Sequence, residues 1–226
     1  MGNADNTMSI IISIIGFLLN LVWIAGFITI FATAKKKSTS KAGYIIEKIV
    51  NIIYGVMGVV ATLFVAVLFL MFILTFANVD MDLPLEFIAA CGFIQMTGYE
   101  YVVYIVFGIL IAFTVLNTIM RFMMAKNYTL ICNMLSGRTN GKQISVFSIV
   151  MLWVNIILAS LTYIGTTVLM FIYKDDITNA GLAEETIIIL AVVVFIITLV
   201  MDIFPFVCEL TLMGGVKKRM AANKIA

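Results

Sequence analysis

The sequence has no histidine, only two prolines, and charged side chains at only 12% of its 226 positions. Without histidine there can be no Ser–His or Cys–His nucleophile pair, no usual zinc site and no haem ligation through imidazole. The cysteines, Cys91, Cys132 and Cys208, are far apart and form no CxxC pair. This argues against a thiol oxidoreductase and favours apolar packing. The sequence therefore predicts neither a metal nor a cofactor.

Hydrophobic residues are abundant. They make up 63% of the chain, and the mean hydropathy is +1.17. A soluble domain carries about twice this charged fraction. The composition excludes a soluble globular domain, a disordered chain and a disulfide scaffold, and it indicates an integral membrane protein. The basic clusters are short and lack an aromatic platform, so no nucleic-acid partner is expected.

Five apolar runs are long enough to cross a bilayer, whose hydrocarbon core of about 30 Å needs about 20 helical residues. They predict an all-α fold in which residues 1–226 form a single membrane domain. The connections are too short to fold as domains of their own. The predicted spans cover residues 8–33, 50–77, 100–122, 145–172 and 186–213.

The charges between these runs separate by sign. The first loop, the third loop and the C-terminal tail hold thirteen of the fourteen lysines and arginines, and the second and fourth loops are acidic. Because basic loops stay on the cytoplasmic side, we expect the N-terminus outside and the C-terminus in the cytoplasm.

The second loop contains an apolar stretch, Leu83 to Thr97, that is interrupted by Pro84, Glu86 and Gly92. Its longest uncharged part is too short to span. The pattern predicts a short interfacial or re-entrant helix on the outer face. The alternative is that the third helix starts early and tilts.

Asp202 is the most informative single residue. It lies eleven positions before Met213, which places it roughly 16 Å deep, close to the bilayer midplane. An acid at that depth costs about 2.5–3.5 kcal/mol, so it should face protein or a water-filled cavity. Pro205, three residues later, frees the carbonyl of Met201. A structural hydrogen-bonded acid, an ion or proton site, and a contact to another subunit all fit this pattern.

Three more polar residues lie at a similar depth. Counting along their helices places Trp153 and Asn155 roughly 11–15 Å deep and Trp23 roughly 16 Å deep. Tryptophan usually lies at the interface, and a buried indole N–H needs an acceptor. We hypothesise a polar cluster of Asp202, Asn155 and one or both tryptophans.

Glu209 lies seven residues after Asp202 and therefore on the same helical face. Asn117 lies at a similar shallow depth, and Arg121 is one turn nearer to water. We predict that Glu209 pairs with Arg121 and joins the third helix to the fifth. A structural salt bridge is the simpler interpretation, and an ion-gating role is the alternative.

The first loop contains a basic cluster, formed by Lys35, Lys36, Lys37 and Lys41. Such a cluster can bind anionic lipid headgroups. Its role in setting the topology already accounts for it.

Two functions remain open. A channel, a transporter or a permeation subunit for ions or small solutes fits an acid in mid-membrane. A scaffold subunit of a larger membrane complex fits the absence of soluble domains. Five helices are few for a transporter acting alone, so a homo-oligomer or other membrane subunits are expected beside the lipid bilayer. An enzyme is not expected, because Asp80, Asp82 and Glu86 only loosely resemble a metal-binding pair and no basic phosphate clamp accompanies them.

Overall fold

The structure is a computed structural model. It describes residues 2–36, 40–79, 83–138, 143–172 and 199–222, together with residues 186, 189, 192, 193, 196 and 197. These residues are overwhelmingly helical, and none of them lies in a strand. The helices are α1 (Gly2–Lys35), α2 (Ala42–Phe76), α3 (Leu85–Thr97), α4 (Glu100–Met134), α5 (Val146–Ile172) and α6 (Phe204–Ala222), and a π-helical segment at Leu199–Ile203 precedes α6.

Five helical segments within the described residues are long and apolar enough to cross a membrane, and this confirms the predicted number. Apolar side chains are exposed along all of them, as expected for helices in contact with lipid. The sidedness of the chain stays a prediction. The segments are Ser13–Lys35, Ala42–Phe76, Glu100–Met134, Val146–Gly165 and Leu199–Lys218.

The second helix is longer than the apolar run that predicted it, since α2 begins at Ala42 rather than near residue 50. Its first turns bury Gly43, Glu47 and Val50, which recur at helical spacing, while Ile45 and Ile49 are exposed. The segment with the first-loop charges Glu47 and Lys48 is therefore helical.

The chain divides into two compact units, of which the second comprises Asn51–Phe122. In this unit α2 and α4 run antiparallel. Glycines allow close approach at one end, where a Cβ atom on Gly55 would lie 2.9 Å from the ring of Phe122. At the other end the rings of Phe69 and Phe107 stack with centroids 5.4 Å apart, and Phe76 meets Tyr104 edge-to-face at 6.0 Å.

The short helix α3 belongs to the same unit and packs against the end of α2. The rings of Phe72 and Phe87 are 4.7 Å apart, and the Gln95 amide donates to the backbone carbonyl of Phe76 at 3.1 Å. Gly98 ends α3 in the left-handed conformation (φ 69°), and its N–H bonds to the carbonyl of Gln95. A short apolar helix in the second loop is thus present, and its relation to the membrane stays a prediction.

The first unit comprises Met1–Val50 and Met123–Ala226. Within it α6 packs against both α1 and α5. The start of α2 lies close to α1, because Gly43 rests against the backbone of Ile30 and of Gly26. Between α4 and α5, the Asn127 amide donates to Ser148 Oγ at 2.9 Å and its oxygen accepts from the Ser145 N–H at 3.3 Å.

Replacement of Asn127 by alanine is expected to lower the free energy of unfolding by about 2 kcal/mol, because it leaves the Ser145 N–H at the start of α5 without its acceptor. Unfolding in mixed detergent micelles measures this. Asn133→Ala, also on α4 but half-buried, is the matched control and should cost under about 0.5 kcal/mol. Equal losses in the two variants would contradict the assigned role of Asn127.

Candidate functional site: buried carboxylates in the first unit

Two carboxylates, those of Glu47 and Glu209, are fully buried in the first unit, with no exposed surface on either residue. Glu47 extends from the first turns of α2 towards α1, where Gly26 has no side chain to displace it. A Cβ atom on Gly26 would lie 3.0 Å from the carboxyl carbon of Glu47. The absence of a side chain at position 26 therefore makes the space for this acid.

Glu209 lies on α6, close to the contact between α6 and α1. Trp23 of α1 is 2% exposed and meets Phe206 of α6 edge-to-face, with ring centroids 5.2 Å apart. Cys208, a buried thiol, precedes Glu209 on α6, and Gly26, against which Glu47 lies, is one turn from Trp23 along α1. The two acids thus share one region of the first unit, to which α1, the start of α2 and α6 contribute.

The backbone around Asp202 departs from the α-helix. Leu199–Ile203 is π-helical, and Pro205, which has no N–H to donate, follows in the first turn of α6. Such π segments often accompany functional sites in helical proteins. The side chain of Asp202 lies outside the described residues.

The residues of the predicted polar cluster differ in exposure. Asn155 is buried and donates to the carbonyl of Met151 at 3.0 Å, and Trp23 is buried against α6. Trp153, two residues before Asn155 and therefore on another side of α5, is 54% exposed. Whether Asp202 meets Asn155 and a tryptophan stays a prediction.

Arg121 and Asn117, on α4, belong to the second unit. Arg121 is nearly buried, donates from Nη1 to the amide oxygen of Asn51 at 3.2 Å, and places its guanidinium 4.9 Å above the ring of Tyr54. Asn117 is half-buried. The predicted pairing of Arg121 with Glu209 stays a prediction.

The members of the basic cluster differ in their surroundings. Lys35 and Lys36 are exposed at the end of α1, and Lys37 lies outside the described residues. Lys41 is half-buried and donates a hydrogen bond to Ser136 Oγ, just after α4. Lys41 thus helps to hold the ends of two helices together.

Sequence reasoning missed Glu47, because it assigned this acid to the charges of the first loop. A signal was present, since Gly43, Glu47 and Val50 follow the spacing of one helical face. Asn51, the partner of Arg121, continues that face; it lies inside the predicted second span and, being uncharged, was not singled out.

The described part of the chain contains no group of three Cys, Asp or Glu side chains arranged to hold a metal ion. Its three cysteines are free thiols. At Cys91, on the short helix α3, burial raises the pKa of the thiol and a hydrogen bond with Thr75 lowers it by less. Comparison with models of known protein families, with curated proteins and with solved structures finds no match to this chain.

Proposed function

We propose that the chain is a non-enzymatic integral membrane protein that carries ions or small solutes, or forms part of such a pathway, with the proton as its best-supported substrate. The observation that carries this proposal is the full burial of Glu47 and Glu209 in helices that are apolar and long enough to cross a membrane. Acids are costly in such helices and are kept where they pair or relay protons.

The burial of both carboxylates favours the proton over a hydrated ion. A hydrated ion needs a water-filled path to its site, whereas a proton passes between carboxyl groups and single water molecules. Both acids lie towards the basic-loop ends of their spans, and Asp202 lies about 10 Å deeper than Glu209 along the same segment. In this proposal Asp202 is the essential mid-membrane acid, and Glu47 and Glu209 connect it to the basic side.

The pathway includes more than one chain, because five helices are few to enclose it. A homo-oligomer or other membrane subunits complete it, and the basic loops face the cytoplasm, as charge asymmetry requires. The surrounding lipid contacts the exposed apolar faces of the helices.

Purified protein in liposomes that contain a pH-sensitive dye tests this proposal. We expect wild-type protein to conduct protons under a potassium diffusion potential. Flux should fall roughly a hundredfold in Asp202→Asn and in Glu209→Gln, since each removes a proton carrier. Glu100→Gln, at the opposite end of the spans, is the matched control and should conduct like wild type. Folded wild-type protein with no flux above that of empty liposomes would refute the proposal.

A scaffold subunit is the second candidate, and one observation favours it. Acids with no exposed surface are also what a purely structural role requires, because a carboxylate buried among polar partners fixes how helices associate. In that case Glu209→Gln lowers the thermal stability of the protein, while neither wild type nor variant conducts protons.

A further inference from the structure

A groove of about 290 Å³ opens at the surface of the first unit, and neither buried carboxylate lines it. One face of α4 forms its floor, and the residues that precede α5 form its rim. Its lining combines a cation, two amides and a hydroxyl with apolar walls. The lining residues are Met123, Lys126, Asn127, Leu130, Gln143 and Ser145.

The groove lies at the level where the membrane surface is expected. The uncharged run of α4 ends at Met120, so Lys126 lies about 9 Å beyond it. Ser145 immediately precedes α5, where the next apolar run begins. Polar headgroups of the lipids occupy this level.

The polar groups of the groove suit a phosphate. The side chains of Lys126 and Gln143 are exposed, and both can donate hydrogen bonds to a ligand, the lysine with a full positive charge. Met123 and Leu130 provide apolar surface on either side of Lys126 along α4. A ligand with an anionic group and an apolar body matches this combination.

Hydrogen bonds hold the part of the groove wall that lies between Lys126 and Gln143. Asn127 is 1% exposed and uses its amide nitrogen and oxygen for Ser148 Oγ and the Ser145 N–H. The segment with Gln143 is thereby anchored beside Lys126. The backbone at Ser145, two residues after Gln143, is thus joined to α4 before any ligand arrives, which lowers the entropic cost of binding.

We propose that this groove binds the phosphate headgroup of an anionic phospholipid, which Lys126 and Gln143 contact while Met123 and Leu130 contact its glycerol and acyl portion. None of Lys35, Lys36 and Lys41, the described members of the basic cluster, lines the groove. It does not depend on proton transport, because neither Glu47 nor Glu209 lines the groove.

Native mass spectrometry of the full chain in detergent, titrated with phosphatidylglycerol, tests the site. We expect one phosphatidylglycerol to bind more tightly than phosphatidylcholine, and Lys126→Gln to weaken that binding about fivefold, the effect of one lysine near an anionic lipid. Gln143→Leu should weaken it in the same direction, and Lys126→Arg should retain it. Lys218→Gln, an exposed lysine on α6, is the matched control and should bind like wild type.

Three outcomes would overturn the proposal. The first is equal affinity of wild type and Lys126→Gln, with Gln143→Leu also unchanged. The second is an equal loss in Lys218→Gln, which would assign the binding to general surface charge. The third is displacement of phosphatidylglycerol by inorganic phosphate or glycerol 3-phosphate at equal concentration, which would make the ligand a free anion. If neither of these soluble anions displaces phosphatidylglycerol, the result supports a lipid as the ligand.

Discussion

Alanine at position 43 is expected to lower the free energy of unfolding by about 3 kcal/mol, the upper end of the usual range for an overpacked core. A Cβ atom there would lie 2.6 Å from Cγ1 of Ile30, 2.8 Å from the Ile30 backbone nitrogen and 2.9 Å from the carbonyl oxygen of Gly26. Side-chain atoms can rotate away from such a contact, but the backbone of α1 cannot. The start of α2 must therefore move away from α1, and the packing around Glu47 opens with it.

Gly214→Ala is the control for this variant. Gly214 lies on α6 in the same unit, and a Cβ atom there would meet nothing within 4 Å. Alanine should stabilise the helix at this position by up to about 1 kcal/mol. The measurement is unfolding in mixed detergent micelles. A Gly43→Ala variant as stable as Gly214→Ala would mean that α1 and α2 are not in close contact at Gly43.

Substitution of Arg121 should have the second large effect. We expect Arg121→Met to cost about 3 kcal/mol, since it removes a charged hydrogen bond to Asn51 and a cation–π contact with Tyr54 in a nearly buried setting. Lysine keeps the charge but not the planar guanidinium that lies over the ring. Arg121→Lys should therefore cost about 2 kcal/mol.

Arg138→Lys provides the matched comparison, because Arg138 is exposed after the end of α4. Its cost should be under about 0.5 kcal/mol. Thermal unfolding of Arg121→Met, Arg121→Lys and Arg138→Lys beside wild type measures the order of their stabilities. If Arg121→Lys proves as stable as Arg138→Lys, the planar stacking on Tyr54 contributes nothing.

The sequence was sufficient to predict the five apolar helices, because hydropathy and length together determine which segments can span a bilayer. It was not sufficient to predict the residues at which these helices begin and end. An uncharged run stops at a charged residue, here at Lys48 and at Arg121. However, α2 begins before Lys48, and α4 continues beyond Arg121. A helix is continued by its backbone hydrogen bonds, which a charge on one face does not interrupt.

The candidate site was predictable only in part. Depth along a helix follows from residue counting, which selected Glu209 and Asn155, and both residues are buried. Rotation about the helix axis does not follow from counting, so Trp153 shares the depth of Asn155 without sharing its burial. Glu47 was assigned to the first-loop charges because the uncharged run begins after Lys48, and the space that Gly26 of α1 leaves for its carboxylate is not visible in the local sequence.

The π-helical segment at Leu199–Ile203 affects how changes in chain length would act on the last helix. A π-type hydrogen bond encloses one residue more than an α-helical one, so this segment holds one residue in excess of a regular helix. One residue corresponds to about 100° of rotation about the axis. A deletion and an insertion in this segment therefore have different effects on the orientation of the helix. A deletion can be absorbed by converting the segment to a regular helix with α6 left in phase, whereas an insertion turns the preceding residues onto a different face.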